Sequence, residues 1–129
     1  MVEVSILAVL VAAVSSFVLG GLWYSPLLFG KAWLKESGAP TTPGHPAKVF
    51  GISFICSLLA AYAFAVLMGS SAELATALHM GLLVGVCFVA TSFGINYQFV
   101  QRSGRLWLID GGYHICQFLL YSLVFGLWP

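Results

Sequence analysis

Residues 4–30 read VSILAVLVAAVSSFVLGGLWYSPLLFG and carry no formal charge. A helix needs about 20 mostly apolar residues to cross a hydrocarbon core roughly 30 Å thick, so this run is long enough to span. Its side chains do not alternate apolar and polar, as the strands of a membrane barrel would, which leaves the helix as the spanning form. Residues 49–72 and 74–101 are likewise uncharged, and residues 106–129 contain only Asp110. These gaps predict four spans, at about 4–24, 49–69, 75–97 and 106–128. The expected architecture is an all-α, integral membrane four-helix bundle in one domain.

Composition agrees. Of 129 residues, 7% are charged, against about 25% in a soluble domain. The hydrophobic share is 60% and the aromatic share 15%. These values exclude a soluble globular domain, a disordered chain and a nucleic-acid binder, and make the lipid bilayer the first partner. The basic start of a secretory signal is missing before Lys31, so the first apolar stretch reads as a retained helix. Lys31, Lys35 and Lys48 follow the first span, and Arg102 and Arg105 follow the third. All five basic residues thus fall on one side, the expected cytoplasmic side, with both termini outward.

Between the first two spans, Ser25-Pro26 reads as an N-cap followed by Pro at the first helical position. A short interfacial helix over about 26–37 follows, with Trp33 at headgroup depth and Gly38 and Pro40 ending it. Residues 37–46 read as a flexible linker in which His45 is exposed.

Small residues recur at every fourth position: Ala8, Ala12, Ser16 and Gly20; Ser53, Ser57, Ala61, Ala65 and Gly69; Ala77, Gly81 and Gly85. Such stripes let helices approach closely in lipid, either within the chain or in a homo-oligomer. Gly51-x3-Ile55-Cys56-x2-Leu59 matches Gly111-x3-Ile115-Cys116-x2-Leu119, a faint repeat of two helix hairpins. Cys56, Cys87 and Cys116 fall within spans without Cys-x-x-Cys spacing and read as buried small hydrophobes.

The fourth span carries the polar pattern. Asp110, His114, Gln117 and Tyr121 sit at i, i+4, i+7 and i+11, on one helix face. At 1.5 Å per residue, Asp110 lies about 6 Å and His114 about 12 Å below the membrane edge. Ionisable groups at that depth face a protein interior or a water-filled cavity. Two roles stay open. An acid and a His one turn apart can share a proton, which suggests a proton relay or a cation site. Alternatively, Asp110 caps the helix or pairs with Arg102 or Arg105, and His114 and Gln117 join helices by hydrogen bonds. Tyr24 and Asn96 lie at the same depth and complete a candidate polar pocket of Asp110, His114, Asn96, Gln117, Tyr24 and Tyr121. His79, near the far end of the third span, reads as an interfacial side chain. No Ser/His/Asp order, metal-ligand spacing or phosphate-binding glycine loop is present, so no catalytic set and no cofactor are expected.

Two motifs stand out: Trp23-Tyr24-Ser25-Pro26-Leu27-Leu28-Phe29-Gly30-Lys31-Ala32-Trp33, and Leu108-Ile109-Asp110-Gly111-Gly112-Tyr113 with a closing Gly126-Leu127-Trp128. They resemble the bacterial membrane family catalogued as domain of unknown function 1761, over nearly the whole chain. The resemblance implies four helices in a prokaryotic inner membrane and a cytoplasmic signature of Trp23, Tyr24, Ser25, Pro26, Gly30 and Trp33. It brings no activity, substrate or catalytic residue. Two functions are expected from the residues. The first is a small transport or permeation protein for protons, cations or a small solute. The alternative is a structural or accessory subunit packing beside a larger membrane complex through its small-residue stripes.

The topology has a direct check. In an otherwise cysteine-free variant in intact cells, a cysteine at Ser71 reacts with an impermeant thiol reagent and one at Ser37 does not; the reverse pattern overturns the orientation.

Overall fold

A computed structural model describes residues 4–40, 44–69 and 73–129. The turn expected at 70–74 to face outward therefore falls largely outside the described residues, as do Glu3 and part of the 37–46 linker. Five helices are present, with no strand among the described residues: α1 (Ile6–Trp23), α2 (Gly30–Ser37), α3 (Pro46–Met68), α4 (Leu74–Phe99) and α5 (Gly104–Leu127). All but α2 are long and apolar enough to cross a membrane. Ser5 and Ser103 cap α1 and α5, accepting from the backbone N–H of Ala8 and Leu106.

The helix after the first span begins at Gly30, not Pro26. Ser25 does not cap it. The Ser25 hydroxyl donates back to the Leu22 carbonyl, and its own carbonyl accepts from Leu28 and Gly30. Residues 24–29 form a tight reversal in which Pro26 takes the second place of a turn, where its fixed φ is favourable. Gly30 is needed by space: a Cβ there would lie 2.4 Å from the Tyr24 carbonyl oxygen. The rings close over the reversal, with Trp23 on Phe29 and Tyr24 on Trp33. The motif is thus a folded corner that returns α2 against the start of α5. Arg102 donates to the Ser37 carbonyl at the end of α2, and Arg105 faces Glu36 at 3.8 Å.

Helices α4 and α5 form the tight half of the bundle. Cβ atoms added at Gly81, Gly85 and Gly94 would meet Ser122 Oγ at 2.0 Å, the Ile115 Cα at 2.9 Å and the Trp107 ring at 2.7 Å. Residues 83–90 of α4 are wound as a π-helix, with its wider turn. The Trp107 indole N–H donates to the Ala90 carbonyl at the end of that segment.

The small-residue stripes are largely consumed within the chain. Ala8, Ala12, Ser16, Ser57, Ala61, Ala65, Ala77, Gly81 and Gly85 are all buried in this single copy. The cysteines are not core residues: Cys56 and Cys87 are exposed and Cys116 half-buried. Four helices enclose little interior, so much of each helix faces outward, where a thiol is as acceptable to lipid as a methyl group. The repeated glycines also differ in setting. Gly111 is buried beside Ala90 and Trp107, whereas Gly51 has open space around it.

Helix α3 makes the loose half. It packs on α1 and less extensively on α5. None of residues 46–56 is buried; the half-buried Phe54 meets Phe17 edge-on at 5.1 Å, and buried contact begins at Ser57. At the far end, Val9, Ala12, Ala61, Phe64, Ala65, Phe118 and Tyr121 close into a core.

The glycine contacts set the first stability expectation. Gly81→Ala lowers unfolding free energy by about 1–3 kcal/mol through overpacking, while Gly51→Ala stays within about 0.5 kcal/mol. Equilibrium unfolding in mixed micelles distinguishes the two.

Candidate functional site

The polar face expected on the fourth span exists, but it divides into two clusters. At the basic end, the Asp110 carboxylate accepts from the Tyr24 hydroxyl at 2.7 Å on Oδ1 and from the Tyr97 hydroxyl on Oδ2. Asp110 is only 9% exposed. A buried carboxylate must take hydrogen bonds from the protein, and two hydroxyl donors occupy one oxygen each. Asp110 lies well inside α5, whose cap is Ser103, so it is not a helix cap. Nor does it pair with an arginine, since Arg102 goes to Ser37 and Arg105 to Glu36.

Asn96 does not join this pocket. It is exposed, and its neighbour Tyr97 turns toward Asp110 instead. Successive residues stand about 100° apart around a helix, so depth alone does not select between them. Neighbouring indoles and phenols bolt the corner in place. Trp23 Nε1 donates to the Ile109 carbonyl at 3.0 Å, and the Tyr113 hydroxyl donates to the Ser16 carbonyl at 2.9 Å. Of the signature residues, Ser25 and Pro26 shape the turn, Gly30 allows its closure, and Trp33 packs on Tyr24.

The second cluster runs deeper. His114 Nδ1 lies 2.6 Å from Gln117 Oε1, and Gln117 Nε2 donates to the Tyr121 hydroxyl at 2.8 Å. Tyr121, fully buried, lies 2.8 Å from Ser57 Oγ, which lies 2.7 Å from Ser16 Oγ. Ser16 donates to the Ala13 carbonyl at 2.8 Å. That carbonyl sets the direction of the whole chain. Ser16 spends its proton on it, so Ser57 donates to Ser16 and Tyr121 to Ser57. Tyr121 then accepts from the Gln117 amide nitrogen, and Gln117 Oε1 accepts from His114 Nδ1–H. The neutral imidazole consequently keeps its Nε2 lone pair. No hydrogen bond joins Asp110 to His114 among the described residues. The His114 ring is held by stacking on Phe93 and an edge contact with Tyr113.

Ser16, Ser57, Tyr97 and Tyr113 carry this site without having been singled out as site residues. For two of them a signal existed: Ser16 and Ser57 are hydroxyl-bearing members of mostly Ala/Gly stripes, as is the exposed Ser53. Among the described residues no group of His, Cys, Asp and Glu is arranged to hold a metal.

His114 and Gln117 border a cleft of about 820 Å3 at the basic half of the bundle, where α3 stands away from α5. Its walls are mainly apolar, including Phe17, Val49, Phe50, Ile52, Val89 and Phe118. Tyr24, Ser53, Ser57 and Tyr113 add polar atoms. A smaller cavity of about 310 Å3 lies at the other end of the α1–α3–α5 interface, beside Ser5, Gly69 and Trp128. The apolar core and the Ser16–Ser57–Tyr121 contact lie between the two.

The separation of the clusters is measurable. A double-mutant cycle between Tyr24→Phe and Asp110→Asn gives a coupling of about 1 kcal/mol or more, whereas Tyr24→Phe with Tyr121→Phe is additive within about 0.5 kcal/mol.

Residues 7–126 match the family described as protein of unknown function (DUF1761), and the chain belongs to that family. No curated protein and no solved structure matches it.

Proposed function

We propose that this member of the DUF1761 family binds a small solute within the membrane, in the cleft between α1, α3 and α5, as the loading step of a small transport protein. The cleft carries the reading. Its volume of about 820 Å3 lies within the range of small-molecule sites, and apolar walls with a few convergent polar groups are what such sites require. Helix α3 forms one wall, and its residues 46–56 lack any buried side chain. A solute dissolved in the bilayer can therefore enter sideways, past a helix that little holds in place.

The membrane is a prokaryotic plasma membrane in this reading, with the basic end in the cytoplasm, as the Lys and Arg bias favours. Protons or cations carried by Asp110 and His114 have less support than a small solute. Both Asp110 oxygens are occupied by tyrosines, and His114 bonds elsewhere. Passage to the far side requires α3 to rearrange, because the core around Ala61 and Phe64 closes the path. Self-association would use the outward faces of the helices. The same holds for the accessory-subunit reading, because the stripes it relied on lie mostly inside the chain.

Ser53→Trp tests the proposal. Ser53 is exposed and borders the cleft, so an indole there fills the space at little expense to folding. Native mass spectrometry after mild extraction should show a small-molecule adduct on the unaltered protein and none on the variant. Equal loading of the two, or no loading of either, overturns the proposal.

A further inference from the structure

The hydroxyls that border the cleft all spend their protons inside the protein. Tyr24 donates to Asp110, Tyr113 to the Ser16 carbonyl, Ser53 to the Val49 carbonyl, and Ser57 to Ser16. What these groups turn toward the cleft is lone pairs. The same holds for His114. The hydrogen-bond chain ending on Ala13 makes its Nδ1 a donor to Gln117, which leaves Nε2 as an acceptor. Nε2 has no protein partner among the described residues, and no buried side-chain nitrogen or oxygen lacks one, so Nε2 is not sealed in the core, and His114 borders the cleft. Gln117, the amide beside it, is 6% exposed and already bonded at both ends. The Cys56 thiol, a weak donor, and the second N–H of the nearly buried Gln117 amide are the exceptions.

We infer that the cleft takes an apolar-bodied molecule whose polar head is a hydrogen-bond donor, an alcohol, phenol or amine, with His114 Nε2 as the acceptor. The inference rests on the binding role proposed for the cleft and adds the class of ligand. The walls match the body: Phe17, Phe50, Ile52 and Phe118 offer only apolar contact. An acceptor head, such as a carboxylate or an ether, would face lone pairs and leave both sides unsatisfied, which is how a polar site rejects the wrong analogue. Asp110, behind Tyr24, adds negative charge on the same side and further disfavours an anion.

Four probes of equal chain length separate the possibilities: 1-decanol, decylamine, decyl methyl ether and decanoate. Each is titrated against the purified full chain in lipid nanodiscs, with affinity read from the rise in melting temperature. Decanol and decylamine should bind about fivefold or more tighter than the ether and decanoate, the worth of one hydrogen bond of average strength. His114→Phe keeps a ring between Phe93 and Tyr113 but removes Nε2. In that variant, decanol and the ether should bind alike. If the ether or decanoate binds the unaltered protein as well as decanol, the donor-head assignment is overturned while the cleft remains a binding site. If none of the probes binds saturably, both the assignment and the binding role fail. Should His114→Phe not fold, the four-probe comparison on the unaltered chain decides alone.

Discussion

A carboxylate held below the membrane surface has no water to satisfy it, and the basic end of this bundle is arranged around that requirement. Asp110 on α5 takes one hydroxyl from the end of α1 and another from the end of α4. Three of the four spanning helices are thereby tied at one point. The corner after α1 follows from the same tie. Tyr24 reaches Asp110 only if the chain turns directly after it, and the turn closes only over a glycine at position 30. Trp23, donating to the carbonyl of Ile109, fixes the same corner from the adjacent residue. The amphipathic helix α2 is then delivered to the start of α5, where Arg102 and Arg105 meet its last turn.

The bundle is uneven because its helices differ in how they can approach. Glycines on α4 bring its backbone against α5, and the Trp107 indole bonds across the seam. Helix α3 buries residues only from Ser57 onward, with the Phe54 ring on Phe17 before it. Its earlier turns carry Val49, Phe50 and Ile52, bulky side chains that find no matching groove. In water such a segment would collapse onto the bundle. In lipid it has no hydrophobic reason to do so, since hydrocarbon solvates it equally well. The cleft is the consequence, and it lies beside the imidazole that ends the buried hydrogen-bond chain.

Much of this was legible in the chain itself. Gaps between charges located four spans because a charge inside a bilayer is costly wherever it falls, and the i, i+4, i+7, i+11 spacing put the polar groups on one face. Rotation was less accessible. Asn96 and Tyr97 are equally deep, and only the neighbouring helix decides which turns inward. The π-wound segment 83–90 lies in an unbroken apolar run, LVGVCFVA, where a change of pitch leaves no contrast to detect. Cys56 and Cys87 were misplaced for a related reason: facing lipid and facing a core demand the same side-chain chemistry. The Ser25-Pro26 pair carries the usual signature of a helix start, and here it serves a reversal, because the Ser25 hydroxyl is drawn back to Leu22.

The hydrogen-bond chain from His114 to Ser16 ends on a peptide carbonyl. A line of hydroxyls conducts protons only if its last member can hand one on, and a peptide oxygen cannot do so at neutral pH. Beyond Ala13 the neighbouring core residues Val9, Ala12 and Phe64 offer no further relay. The line therefore stops inside the core. It orients a ring at the mouth of a cleft and holds the dipoles along it pointing one way.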